Sequence, residues 1–180
     1  MVTRRRGAAA GLLGLLLLAA GLWVLTRGRG PQQVVATAPS PIITPLLPTP
    51  GTVPAGYRVK STDLGIDLPI VAGDGWTVPY YKAAVYPGMK MPGTGDRTML
   101  YAHAQAGMFG PLSHAATGQH IDITRPGQPT LHYVITRYFP KWSPADLTYT
   151  KPLGHDELVL LTCTSYQAND PRILAVAEPA

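Results

Sequence analysis

Leu158-Val159-Leu160-Leu161-Thr162-Cys163 reads as a buried strand that ends in a thiol. Working outward, short runs of β character recur at Tyr57–Lys60, Ile66–Val71, Thr98–Ala102, His120–Thr124, Thr130–Phe139 and Ile173–Ala177. Glycine and proline turns separate them, among them Pro92-Gly93-Thr94-Gly95-Asp96 and Arg125-Pro126-Gly127-Gln128. No long 3.6-residue apolar period appears, and only Gly110–Ala116 has the look of a short helix. Many short strands at this spacing predict a mainly β domain over residues 57–180, closed or nearly closed into a barrel.

Upstream of that domain the chain changes character. Arg4, Arg5 and Arg6 precede an uncharged stretch rich in Leu and Ala, from Gly7 to Thr26. As a helix this stretch would span ~30 Å, the thickness of a bilayer core. A retained signal anchor over residues 1–29 is therefore expected. The rival is a cleaved signal peptide, with a shorter apolar region of about 7–15 residues and a small-residue cleavage site. The nearest such site, Ala36-Thr37-Ala38, lies well past the apolar end and is followed by Pro39. The balance of basic residues about the span weakly favours an extracytoplasmic C-terminal part and a single-pass protein of the cell membrane. Residues 30–56 have no acidic residue and no aromatic but many prolines, the composition of a semi-extended spacer.

The net charge of +5 belongs to the membrane flanks. Arg4, Arg5, Arg6, Arg27 and Arg29 account for the whole excess, since the other Lys and Arg equal the 10 Asp and Glu. A neutral domain argues against nucleic acid, which calls for a basic face.

Cys163 is the only cysteine, so an exported domain of this kind has no internal disulfide. The thiol is either a small buried hydrophobe or a reactive group. A nucleophilic cysteine needs a partner that can later protonate a leaving amine, and histidine suits this because it titrates near neutrality. Of five histidines, His120 and His132 lie within alternating strands, His114 in the helix-like patch and His155 in a loop. His103 follows the apolar run Met99-Leu100-Tyr101-Ala102, where a strand end would hold it rigidly at the barrel rim. Arg172 opens the last strand beyond the turn Asn169-Asp170-Pro171. If that strand runs back antiparallel, Arg172 lies beside Cys163, and its permanent charge could serve an oxyanion or a substrate carbonyl. A solvated arginine at a strand end is the competing reading.

In these residues the chain resembles the sortases, the cysteine transpeptidases of bacterial cell surfaces. Their signature is Thr-Leu-x-Thr-Cys on a strand, an arginine on the next strand and an upstream histidine at a strand end. Here it reads Val159-Leu160-Leu161-Thr162-Cys163, with Arg172 in Asp170-Pro171-Arg172-Ile173-Leu174 and His103 after Thr98-Met99-Leu100-Tyr101-Ala102. Val159 stands where the motif has its first Thr, and Ala102 where Gly is common before the histidine. The chain ends just after its last strand and shows no N-terminal lid motif, which looks more like a short class E or class F enzyme than a pilin-assembling one. The resemblance implies an eight-stranded barrel with one or two short helices. It implies cleavage of a Leu-Pro-x-Thr-Gly-like signal by Cys163 through a thioacyl intermediate, with His103 as proton donor and Arg172 on the oxyanion or signal backbone. The implied partners are surface proteins with such a C-terminal signal and an amine acceptor such as a peptidoglycan precursor. Thr162, Tyr166 and Trp142 are the candidates for the substrate groove, core packing being the alternative for Tyr166 and Trp142. No cofactor is implied, and the acidic clusters that hold calcium in some relatives are not found in the sequence.

Three rival functions share some of these features. A papain-like peptidase places its cysteine at a helix start and before the histidine, the reverse of the order here. An L,D-transpeptidase wants a Ser-x-Gly-Cys type stretch. A membrane-tethered barrel that binds a peptide without turnover would have no need of the trio.

Overall fold

The computed structural model describes residues 52–180. The expected anchor over 1–29 and nearly all of the spacer over 30–56 lie outside the described residues. Among the described residues no helix is long and apolar enough to cross a membrane.

Eight strands close into a barrel. They are β1 (Arg58–Ser61), β2 (Ile66–Ala72), β3 (Ala83–Val85), β4 (Arg97–Tyr101), β5 (His120–Arg125), β6 (Gln128–Trp142), β7 (Glu157–Cys163) and β8 (Arg172–Pro179). Their order around the barrel is β1-β2-β3-β4-β7-β8-β6-β5, closed by antiparallel β1–β5 pairing. The β2–β3 and β4–β7 pairs are parallel. Two single-turn 3-10 helices, Gly110–His114 and Thr148–Thr150, complete the chain. The run expected to form a helix from Gly110 to Ala116 is the first of these. Gly110 is packed so close to the Gln105 carbonyl that a Cβ there would lie 2.7 Å from it.

Several strand bounds shift by a residue or more: β1 starts at Arg58 rather than Tyr57, β4 at Arg97 rather than Thr98, β7 at Glu157 rather than Leu158, and β6 runs from Gln128 to Trp142 rather than from Thr130 to Phe139. β3 has no counterpart among the strand runs read from the sequence. It has three residues, too few to show a period, and its Ala83 and Ala84 carry no β-branch.

The barrel interior is filled by one side of each strand, including Leu68, Leu100, Ile121, Ile135, Leu158 and Leu160. A second cluster lies outside the sheet, where Met99, Val159, Leu174 and Val176 pack under Tyr149. β7 is thus covered on both faces, which is why its sequence is a continuous apolar run rather than an alternation.

The start of β4 is tied to the start of β7 by charge. Arg97 and Glu157 are register partners, and the Arg97 Nε–H donates to Glu157 Oε1 at 2.5 Å with both side chains almost fully buried. Arg137 from β6 donates to the other Glu157 oxygen. Such a pair adds little net stability over an apolar pair, but a slipped register would leave its charges buried and unpaired. Asp96 reinforces this end of the barrel, its Oδ1 accepting backbone N–H groups from Leu153 (2.7 Å), Gly154 (3.1 Å) and Arg97 (2.8 Å).

These three donors, that of Leu153 first, hold the Asp96 carboxyl below its ordinary range. A depressed folded-state pKa contributes stability above the unfolded value of about 3.9, and that stability is lost as pH falls through the folded value. Asp96→Asn should therefore lower Tm at pH 7. The gap from wild type should begin to narrow below about pH 4 in a thermal melt series and close as pH falls through the lower folded-state value.

Candidate active site

β7 and β8 run antiparallel in a register that pairs Cys163 with Arg172 directly. β4 and β7 run parallel, with Tyr101 opposite Leu161. Beyond that last pair the two chains stay together. The Ala102 N–H donates to Leu161 O at 3.3 Å, and the Thr162 hydroxyl donates to Ala102 O at 2.8 Å. The same offset then carries His103 to the level of Cys163. All three residues lie on the outer face of the barrel, in step with Met99 on β4, Val159 on β7 and Leu174 on β8. The arrangement expected at one strand end is present: His103, Cys163 and Arg172 line a single recess of about 230 Å³.

The chain around His103 is held by its own turn. Phe109, fully buried, donates its N–H to the His103 carbonyl at 3.0 Å, and the Gln105 carbonyl accepts from Met108 and Gly110. The imidazole itself is half-buried and lies against the Tyr80 ring, with centroids 4.7 Å apart.

Arg172 is half-buried, and its guanidinium holds the loop between β7 and β8. Nη1–H donates to Asp170 O at 2.7 Å and Nη2–H to Ala168 O at 2.8 Å. Thr164 Oγ1–H donates to Pro171 O at 2.6 Å, and Ser165 Oγ–H donates to Asp170 Oδ2, so residues 164–171 form a self-braced loop. A guanidinium carries five N–H donors, which leaves Arg172 donors for a further acceptor.

On the other side of Cys163 a longer groove of about 470 Å³ runs over the outer face of β4, β7 and β8. Its walls are largely apolar: Val78, Met99, Leu161 and Leu174, with Trp142 and Tyr149. Trp142 packs edge to face with both Phe139 and Tyr149, and the three ring centroids lie 5.1–5.9 Å apart. Tyr149 sits beneath the Arg97 guanidinium, 4.9 Å from its ring centroid, and Arg97 also donates to Thr148 O and Lys151 O. The buried ion pair that sets the β4–β7 register therefore also fastens this wall of the groove.

The three further residues expected near a substrate fall in different places. Trp142 lines the groove while packing in the aromatic trio. Tyr166 is 94% exposed, so it has no part in the core, and it edges the recess that holds His103. Thr162 also borders the groove, but it is 2% exposed and its hydroxyl proton is committed to Ala102 O. Its hydroxyl fastens the strand carrying His103 to the strand carrying Cys163. Sequence reasoning missed Tyr80, Trp76 and Val78, which the β2–β3 loop brings over the site. That loop has no strand or helix pattern to flag it.

Thr162→Val keeps the shape and removes that donor from a buried carbonyl. Urea unfolding should show a loss of about 1–3 kcal/mol, with activity at low urea falling as the His103 segment loosens.

The Sortase domain family model matches residues 59–180. No curated protein sequence matches the chain. Solved structures do. Sortase C2 of pilus island 1 from Group B Streptococcus is 29% identical, with a TM-score of 0.60 over 69% of this chain and 73% of its own. A lid mutant of sortase A from Corynebacterium diphtheriae is 26% identical, with a TM-score of 0.61 over 71% of this chain and 70% of its own. Sortase A of Listeria monocytogenes shares the fold at 16% identity, with a TM-score of 0.61 over 69% of this chain and 86% of its own. With its barrel, its thiol at the end of β7 and a family match across the whole barrel domain, the chain belongs to the sortase family of cell-wall cysteine transpeptidases.

Proposed function

We propose that this sortase cleaves a Leu-Pro-x-Thr-Gly-like sorting signal near the C-terminus of surface proteins and passes the new carboxyl end to an amine of the cell wall. The observation that carries this reading is the convergence of His103, Cys163 and Arg172 on one recess at the end of an apolar groove. The groove suits the Leu and Pro of such a signal, with Trp142 as a wall and Tyr166 at the rim beyond Cys163.

In the first half-reaction the Cys163 thiolate attacks the Thr carbonyl carbon of the signal. The oxygen takes the negative charge and accepts from the free N–H groups of Arg172. Collapse breaks the C–N bond, and the His103 imidazolium gives its proton to the departing Gly amine. A thioester on Cys163 and a neutral His103 remain. In the second half an amine acceptor, such as a peptidoglycan precursor, attacks the thioester. His103 takes the amine proton, the sulfur leaves as thiolate, and a new amide forms. Water in place of the amine gives hydrolysis. Thr162 acts indirectly, by keeping His103 level with Cys163.

The N-terminal apolar stretch is proposed as a retained single-pass anchor, and residues 30–56 as the spacer that lets the barrel domain of residues 57–180 reach the wall. The subclass is read as class E- or class F-like. A peptide-library cleavage profile assigns it together with the preferred signal.

Mass spectrometry of the full-length chain incubated with a Leu-Pro-Ala-Thr-Gly reporter peptide alone should trap an acyl adduct on Cys163, and added triglycine should discharge it as the ligated product. Cys163→Ala should abolish adduct and cleavage alike, and continued cleavage by that variant would end this assignment. Arg172→Ala should lower kcat/KM by about 10²–10³-fold. Trp142→Ala should raise KM with a smaller effect on kcat, as expected of a residue that binds signal equally in ground and transition states.

A further inference from the structure

A catalytic imidazole is ordinarily aimed by a third group, most often a carboxylate or carbonyl that accepts from one ring nitrogen. Among the described residues, none hydrogen-bonds to either His103 ring nitrogen. The ring meets Tyr80 instead, with centroids 4.7 Å apart and planes inclined at 40°. That separation is within the range at which aromatic pairs attract beyond simple burial. The phenol face also accommodates a cation, so the contact serves both the neutral ring and the imidazolium.

The loop that delivers Tyr80 is fastened to the same strand that delivers His103. Tyr101, on β4 two residues before His103, accepts from the Gly75 N–H at 3.1 Å and donates to Thr77 O at 3.2 Å. Burial, the largest cause, pushes the Tyr101 hydroxyl above the ordinary phenol range, so its proton stays in place for Thr77. Gly73 lets the loop approach this hydroxyl, because a Cβ there would stand 2.3 Å from it. The Gly73 N–H donates to Val85 O at 3.0 Å, and Asp74 Oδ1 accepts from the Trp76 and Thr77 N–H groups. Tyr80 thus stands on a braced loop although it is 62% exposed, and among the described residues no hydrogen bond from its hydroxyl explains its place.

We propose that Tyr80 is a positioning residue that sets the orientation of the His103 imidazole by ring stacking, in place of the hydrogen-bond acceptor that commonly aims a catalytic base. The inference rests on His103 being the proton donor of the proposed reaction. Its effect lies on kcat, because Tyr80 orients the proton-transfer group and lines neither the apolar groove nor the recess beside Cys163.

The test compares full-length Tyr80→Ala, Tyr80→Phe, Tyr81→Ala and His103→Ala on the Leu-Pro-Ala-Thr-Gly reporter with triglycine as acceptor. Tyr80→Ala should lower kcat about three- to ten-fold with KM and Tm little changed. Tyr80→Phe should restore it, since stacking needs the ring and not the hydroxyl. Tyr81→Ala should cost less than Tyr80→Ala, because that ring meets Tyr80, with centroids 6.3 Å apart, and not His103. In parallel, NMR of the ring-labelled histidines should show the His103 resonances shifted in Tyr80→Ala, as the imidazole loses the neighbouring ring current and averages over rotamers. An inactive His103→Ala beside a fully active Tyr80→Ala overturns the positioning role and leaves the sortase reaction standing. Full activity in His103→Ala sinks the proposed mechanism and this inference together. Unchanged His103 resonances in Tyr80→Ala overturn the stack even if no reporter is turned over.

Discussion

The parallel pairing of β4 with β7 is the constraint on which the rest of the molecule depends. These strands are far apart in sequence, and their register places the end of one beside the end of the other. The buried Arg97–Glu157 pair holds one end of that register. The Thr162 hydroxyl holds the other through the Ala102 carbonyl. Between them Leu100 and Leu160 face the barrel interior while Met99 and Val159 face the outer cluster. A slip of one residue would exchange these faces and bury the charges without partners. His103 and Cys163 inherit their nearness from this ladder.

The site is consequently built outside the barrel rather than within it. The interior is closed by side chains, and the groove runs over the outer faces of β4, β7 and β8, between two connections. The β6–β7 connection supplies one wall with Tyr149, and the β2–β3 connection supplies the other with Trp76 and Val78. Each wall is pinned to β4, the first by Arg97 and the second by Tyr101. One short strand therefore carries the histidine at its end and the anchors of both walls along its length. That economy explains why every residue of β4 is buried.

Much of this was legible in the sequence where a local pattern carried the information. β7 shows as an apolar run because it is covered on both faces, and β5 as an alternation because it is covered on one. Arg172 could be placed beside Cys163 because a short loop between antiparallel strands leaves little choice of register. β3 was not legible, since three small residues carry no period. Thr162 borders the groove where it was expected, and its hydroxyl also bonds Ala102 O on the neighbouring chain segment, a contact that only a distant partner could reveal. Tyr166 and Trp142 had the same description in the sequence, yet one stands in solvent and the other packs in an aromatic trio.

By itself the sequence determined the strand-rich barrel domain, the lone thiol at a strand end and the order histidine, cysteine, arginine along the chain. These follow from periodicity, turn chemistry and residue identity, which act over a few positions at a time. The tertiary structure decided what lies across from what: the parallel ladder that brings His103 to Cys163, and the tyrosine laid on the imidazole. Those contacts join segments separated by tens of residues, and they exist only once closure of the barrel has set every register at once.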